Sequence, residues 1–144
     1  MIQPLSLRAQ LRILAGFLPL LDAPGFSFGA WVHPQSTNGR LVLPFYAIGE
    51  TASALHDACY AAGWVLEDFD WPTWKKSEEA TRLRDDPEFL SKATPDQLAR
   101  ILTVLLRQER FCEGSLNAAY ESGLLLAILR RAAVLESELP PSND

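Results

Sequence analysis

The chain contains few of the residues that build metal centres, disulfide scaffolds and histidine-dependent active sites. Its 144 residues include two cysteines and two histidines. His56 and Cys59 are one helical turn apart, but a metal site needs three or four ligands, so the pattern indicates neither a metal nor a cofactor. Cys59 and Cys112 lie in apolar segments that we interpret as helical. A disulfide and two buried free thiols both fit, and ordinary cysteine usage favours the thiols.

Long apolar runs and an excess of basic charge are also missing. The N-terminal run Ile13–Leu21 contains a glycine and a proline, and no signal-peptide cleavage pattern follows it. No apolar stretch approaches the ~20 residues that span a bilayer, so we expect a cytoplasmic protein without a membrane partner. The chain has a net charge of −5 and therefore lacks the overall positive charge that attracts nucleic acid, so a nucleic-acid partner is not favoured.

The remaining composition is that of an ordinary folded domain. Hydrophobic residues make up 48% of the chain and charged residues 22%, a balance typical of globular proteins. The length suits one domain. We therefore predict a single globular domain over residues 1–135, followed by a disordered tail over residues 136–144, which contains Pro140-Pro141.

The centre of the predicted fold is a long apolar helix, Leu98–Glu113. A capping box formed by Thr94 and Gln97 marks its start. Its apolar residues follow helical spacing and then widen the stripe: Leu98, Ile101, Leu102, Val104, Leu105, Phe111 and Cys112. Because a surface helix needs fewer apolar residues than this, we expect the helix to lie in the middle of the core.

The other segments complete a mainly α fold of about six helices around this centre, with one short β-hairpin near the N-terminus. The hairpin is predicted from two aromatic and β-branched runs, Phe26–Val32 and Arg40–Tyr46, joined by a loop that ends in Asn38-Gly39. The first helix is predicted from the helical spacing of Leu7, Leu11, Leu14, Leu18 and Leu21, and Pro19 should end or kink it. The other predicted helices are 50–62, the segment after Asp70, 116–122 and 124–135.

The last helix, Leu124–Leu135, is apolar nearly all round. Such a helix is either enclosed by its own chain or covered by a second copy, and we favour a homodimer. Together with Leu116–Ser122 it has the spacing of a helix-turn-helix. However, the apolar Leu125, Leu126 and Ala127 stand where a recognition helix presents polar side chains to bases.

Three strings together resemble a known group of proteins. They are Gly25-Phe26-Ser27-Phe28-Gly29 with Trp31, Phe69-Asp70-Trp71 with Trp74, and Arg107-Gln108-Glu109-Arg110-Phe111-Cys112-Glu113-Gly114. The chain resembles a family of small bacterial proteins that is defined only as a domain of unknown function. The resemblance therefore implies a grouping and no chemistry.

The most prominent candidate site is the ionic cluster Arg107, Glu109, Arg110 and Glu113 at the end of the central helix. Ionic side chains beside a buried helix are costly to desolvate unless they are paired. One interpretation is a structural network in which these side chains satisfy helix-end and loop backbone groups. The other is a pocket in which the two arginines bind an anion bidentately.

Trp71 and Trp74 are the remaining ligand-binding candidates. They lie one turn apart and should point inward together, and most aromatic residues of so small a domain belong to its core. The two cysteines and the serines have no histidine placed to activate them, so the chain gives no catalytic residues and the question of enzyme activity stays open. We favour a non-catalytic protein-interaction or regulatory module over a small anionic-ligand binder or enzyme, and place a nucleic-acid-associated regulator third.

Overall fold

A computed structural model describes residues 5–34, 39 and 43–141. This part of the chain forms eight helices and two strands. In chain order they are α1 (Leu7–Leu21), β1 (Gly29–Val32), β2 (Phe45–Ile48), α2 (Glu50–Ala61), α3 (Trp71–Trp74), α4 (Glu78–Asp85), α5 (Pro87–Leu90), α6 (Pro95–Glu109), α7 (Ser115–Glu121) and α8 (Leu124–Glu138). The predicted mainly α fold with one hairpin is confirmed.

The central helix α6 starts at the predicted capping box. The Thr94 hydroxyl accepts a hydrogen bond from the Gln97 N–H at 3.2 Å, and the Gln97 side chain accepts one from the Thr94 N–H at 2.9 Å. These bonds satisfy two of the backbone N–H groups that a helix start leaves without partners. Seven residues of α6 are buried: Leu98, Ala99, Ile101, Leu102, Thr103, Val104 and Leu106.

Thr103 is a buried polar residue inside this apolar helix. Its hydroxyl donates a hydrogen bond to the Ala99 carbonyl at 2.7 Å and accepts one from the Leu66 N–H at 2.9 Å. Buried backbone N–H groups need a partner, and this one belongs to the loop between α2 and α3. Thr103 therefore fastens that loop to the central helix.

The end of the central helix differs from the prediction. Helix α6 ends at Glu109 rather than Glu113, because the N–H groups of Arg110 and Phe111 bond three residues back, to the Arg107 and Gln108 carbonyls, and tighten the last turn. Gly114 then takes a φ of +95°, which favours glycine, and starts α7. Consequently Phe111 and Cys112, predicted to lie on the apolar stripe, are exposed. Both cysteines are free thiols, and only Cys59 is buried.

The hairpin is shorter than predicted. Strand β1 begins at Gly29 rather than Phe26, and β2 begins at Phe45. A Cβ atom on Gly29 would overlap the Ala47 carbonyl oxygen across the ladder, so this position requires glycine. Trp31 stands opposite Tyr46 in the antiparallel register. Residues 35–38 and 40–42, which carry most of the predicted loop and the start of the second strand, lie outside the described residues.

Three other parts of the chain also differ from the prediction. Helix α1 continues through Pro19 to Leu21 instead of ending at the proline. The charged segment after Asp70, predicted as helical, is divided into α3, α4 and α5, because Ser77 and Asp86 cap new helix starts with their side chains. Helix α8 extends to Glu138, three residues beyond the predicted end of the domain. Residues 142–144 of the predicted tail lie outside the described residues.

Helix α8 packs along α1, and each helix buries its apolar face against the rest of the chain. Leu125, Ile128, Leu129 and Ala132 of α8 are almost completely buried within one chain. This is the first of the two alternatives stated for this helix, enclosure by its own chain. The homodimer through 124–135 stays a prediction.

Candidate functional site

The four ionic candidates lie together where α6 ends and the chain turns into α7. Arg107 and Glu109 belong to the last turn of α6, Arg110 is its C-cap, and Glu113 immediately precedes Gly114. Because α6 ends at Glu109, Glu113 does not lie on a face of this helix. Their relative positions follow instead from the turn of residues 110–114.

Glu109 binds the backbone of the helix that follows. Its two carboxylate oxygens accept hydrogen bonds from the Gly114 N–H at 3.2 Å and the Leu116 N–H at 2.7 Å. Gly114 is the N-cap residue of α7 and has no side chain that could accept those bonds. A carboxylate near a helix N-terminus is also favoured by the helix dipole. Glu109 therefore caps α7 from the preceding helix.

Glu113 makes an equivalent contact with the hairpin. Its carboxylate accepts a hydrogen bond from the Tyr46 N–H at 3.1 Å, which links the turn to β2. Tyr46 itself is buried, and burial together with the charges of Glu121 and Glu109 raises the pKa of its phenol. Both glutamates thus serve backbone donors, as expected from the structural-network interpretation.

The two arginines share one aromatic ring. The guanidinium carbons of Arg107 and Arg110 lie 5.9 Å and 5.6 Å from the centre of the Tyr60 ring, within the range of cation–π attraction. Among the described residues neither arginine forms an ion pair. Arg107 is half-buried and Arg110 is exposed. The arginines are therefore supported by Tyr60 without being neutralised through direct contact.

The two candidate tryptophans separate instead of pointing inward together. Trp74 packs against the core, and its indole N–H donates a hydrogen bond to Glu79 at 2.8 Å. This bond, with contributions from Gln97 and Arg100, lowers the pKa of the Glu79 carboxyl. Trp71 instead lies beside Phe111, with the two rings stacked at 6.5 Å between centroids. Only Trp71 therefore joins the ionic cluster.

Phe111 stands out by its exposure. Its side chain is 81% exposed at the tip of the turn, next to the half-buried Trp71. On the other side of the turn, Gly114 lies against Trp31, which is 50% exposed and meets Tyr46 edge to face. We call the resulting patch the aromatic–arginine surface. It consists of Trp31, Tyr60, Trp71, Arg107, Arg110 and Phe111.

A family model described as "Family of unknown function (DUF6508)" matches residues 6–138. The chain belongs to this family. The match covers nearly all of the described residues and confirms the resemblance to a family without an assigned function. No curated protein and no solved structure matches the chain.

Three members of the aromatic–arginine surface were not site candidates in the sequence: Trp31, Tyr60 and Phe111. Tyr60 was missed because it lies on α2, more than forty residues from the arginines that it supports. Trp31 was assigned with the core aromatics, yet half of its side chain is exposed. Only Phe111 had a local sequence signal, its position among polar residues. It follows Arg107-Gln108-Glu109-Arg110 and precedes Cys112-Glu113-Gly114.

Other kinds of site find little support in the described residues. Nowhere in this part of the chain do three or more histidine, cysteine, aspartate or glutamate residues form a group that could hold a metal ion. In residues 5–34, 39 and 43–141, every helix is too short or too polar to cross a bilayer. At the start of α8, Leu125 is buried and both Leu126 and Ala127 pack against the core, so this turn presents no polar face to a DNA groove.

Proposed function

We propose that this member of the family is a non-catalytic protein-interaction module that binds its partner through the aromatic–arginine surface. The observation that carries the proposal is the exposure of Phe111, 81%, beside Trp71 and the two arginines. Isolated apolar residues are common on protein surfaces, but here the exposed ring stacks on a second aromatic ring, that of the half-buried Trp71. Tryptophan, tyrosine and arginine are the residues that dominate binding hot spots.

The backbone that carries Phe111 is held from both sides. Glu109 binds two N–H groups after the turn, and Glu113 binds the hairpin. The Phe111 N–H itself bonds to the Gln108 carbonyl at 2.9 Å. A surface that is ordered before binding loses less conformational entropy in the complex than a flexible loop does. By holding the turn in place, Glu109 and Glu113 therefore favour binding through Arg110 and Phe111, which the turn carries.

The charges indicate the chemistry of the partner. Arg107 and Arg110 have no carboxylate partner among the described residues, while Glu109 and Glu113 are directed at backbone N–H groups. A partner that places an apolar side chain on Phe111 and a carboxylate beside it would complete both contacts. Arginine is well suited to such a contact because its guanidinium group binds a carboxylate with two parallel hydrogen bonds.

The test places a photo-crosslinking amino acid at position 111 and, as a control, at Val134. Val134 is 44% exposed on α8 and lies outside the aromatic–arginine surface. In cells of the source organism, we expect one protein to crosslink at position 111 and not at position 134. Purified partner should then bind Phe111→Ala with roughly 10- to 150-fold lower affinity, the equivalent of ~1.5–3 kcal/mol for a buried phenylalanine.

Three controls make this result specific. Phe111→Ala should unfold at the denaturant concentration of the parent, because an exposed side chain contributes little to stability. Val134→Ala should bind like the parent. Arg110→Ala should weaken binding most at low ionic strength, since salt screens exposed charges. Equal crosslinking at positions 111 and 134, or parent-like affinity of Phe111→Ala, would count against the interaction surface.

A second function, binding of a small anion at the same place, is favoured by one observation. Two guanidinium groups share the Tyr60 ring, and the Tyr60 hydroxyl is buried with no hydrogen-bond partner among the described residues. An anion bound there would stabilise the folded state by mass action. Phosphate or sulfate should then raise the melting temperature of the parent and leave that of Arg107→Ala unchanged. An equal effect on both proteins would exclude the anion site.

A further inference from the structure

A cavity lies on a different part of the molecule, bordered by the end of α3 and by α4, α5, α6, α7 and α8. Its volume is about 620 Å³. This falls within the range of small-molecule sites, ~300–1,000 Å³. Neither arginine of the aromatic–arginine surface lines it. Helix α6 contributes Ile101, Val104, Leu105 and Gln108 to the lining. The cavity is therefore separate from the surface proposed above.

The floor of the cavity is apolar and buried. It is formed by buried side chains of α4, α5 and α6, among them Leu83, Leu90, Ile101 and Val104, each at most 4% exposed. Opposite them, Gly123 joins α7 to α8, and a Cβ atom at this glycine would meet no heavy atom within 4 Å. Partly or fully exposed apolar residues lie around this floor: Trp74, Pro87, Leu105, Ala118 and Ala127. An apolar occupant would displace water from these side chains, which is the main source of affinity for such sites.

Charged residues occur in the lining as well, and positive charge predominates. Lys75, Arg84 and Arg130 face one acidic residue, Asp85, so the lining carries a formal charge of +2 in a chain of net charge −5. The two arginines have carboxylate partners within the chain: Arg84 binds Asp85 with two hydrogen bonds, at 3.0 Å and 3.1 Å. Arg130 lies 3.5 Å from Asp22.

Lys75 has no such partner. It is half-buried at the end of α3, next to Trp74, and forms no ion pair with any described residue. One cation of the lining is thus left without a counter-charge beside an apolar cavity. An amphiphile with a single negative charge would match both features.

We propose that this cavity binds a long-chain carboxylic acid, with the alkyl chain on the accessible apolar lining and the carboxylate at Lys75. The volume suits one small amphiphile, and the unpaired ammonium group of Lys75 matches a head group with a single negative charge. The alkyl chain supplies most of the affinity through burial, and the ion pair orients the ligand.

The test uses palmitate below its aggregation concentration, with hexadecanol as the uncharged analogue. Calorimetry should show one palmitate per chain, and palmitate should raise the melting temperature. Lys75→Glu should weaken palmitate binding about tenfold or more, because it replaces attraction by repulsion. Lys76→Glu is the matched control. It changes the net charge equally on a neighbouring exposed residue that does not line the cavity, and it should bind like the parent.

A second pair of variants fills the cavity. Ala118 is exposed on α7 and lines the cavity, so a larger side chain there can enter the empty space without displacing core residues. Ala118→Leu should reduce palmitate binding and Ala118→Phe should abolish it, while circular dichroism confirms that both variants are folded. Phe111→Ala should bind palmitate like the parent, which separates this proposal from the interaction surface.

Several outcomes would overturn the proposal. They are absence of palmitate binding, more than one palmitate per chain, equal binding by Ala118→Phe, and equal losses in Lys75→Glu and Lys76→Glu. Hexadecanol binding as tightly as palmitate would remove the role of Lys75. A dimer in light scattering that Ala118→Phe dissociates would show that a second copy of the chain occupies the cavity instead.

Discussion

Replacing Glu109 by alanine separates a structural role of the ionic cluster from a purely functional one. The change leaves the N–H groups of Gly114 and Leu116 without their acceptor, and α7 loses its cap. Loss of a helix cap or of a partly buried, charge-assisted hydrogen bond costs about 1–2 kcal/mol. For 144 residues the entropy of unfolding is about 0.3 kcal/mol/K. The melting temperature should therefore fall by about 3–7 °C.

The matched control for this experiment is Glu121→Ala. Glu121 is an exposed glutamate of α7, and its side chain makes no hydrogen bond with a described residue. Both variants lose one negative charge, so a difference between them measures the cap. Thermal melts followed by circular dichroism give the two values. If Glu109→Ala melts at the temperature of Glu121→Ala, the carboxylate does not hold the turn, and the argument for a preorganised surface is refuted.

Three further predictions test other parts of the structure. Thr103→Val should lower the free energy of unfolding by ~1–3 kcal/mol in denaturant titrations, because the Leu66 N–H loses its acceptor, whereas Thr103→Ser should keep most of the stability. In the native protein a thiol reagent near pH 8 should label Cys112 quickly and Cys59 only after unfolding, since burial raises the pKa of the Cys59 thiol to about 12; rapid labelling of both would contradict the fold. The hydrogen bond from the Trp74 indole is the main reason that the pKa of Glu79 is lowered in the folded state. The Glu79 carboxylate therefore stabilises the protein at neutral pH. This contribution should be lost progressively as the pH falls below ~4.3, the ordinary pKa of glutamate. Chemical denaturation should therefore show Glu79→Gln less stable than the parent at pH 7, and the difference should shrink as the pH falls below ~4.3. A difference that does not change with pH would exclude this ionisation.

The sequence predicts the elements whose causes are local. The capping box of Thr94 and Gln97 marks the start of α6, and the apolar spacing that follows it places this helix in the core. The break at Gly123 follows from a change in the phase of the apolar residues, and the structure gives this glycine a φ of +88°. Caps and helical periodicity depend on residues within a few positions of one another, so one sequence is sufficient to detect them.

The aromatic–arginine surface was only partly predictable. The string from Arg107 to Gly114 identifies the ionic residues, but helical projection extends α6 too far and therefore buries Phe111 and Cys112. The helix ends earlier because the Arg110 and Phe111 N–H groups bond three residues back, to the Arg107 and Gln108 carbonyls. The apolar spacing continues past the end of the helix. It therefore does not show where the backbone changes from helix to turn.

Only the tertiary structure decides which partners these side chains find. Glu113 meets the Tyr46 N–H, and the arginines meet Tyr60, across separations of more than forty residues. A carboxylate or guanidinium group can bind many different partners with similar energy. Which partner it binds depends on the backbone and aromatic groups that the fold places nearby without another partner. Apolar periodicity and capping are properties of a segment and are determined by the sequence itself. The pairing of polar groups is a property of the assembled core, because only packing brings their partners within reach.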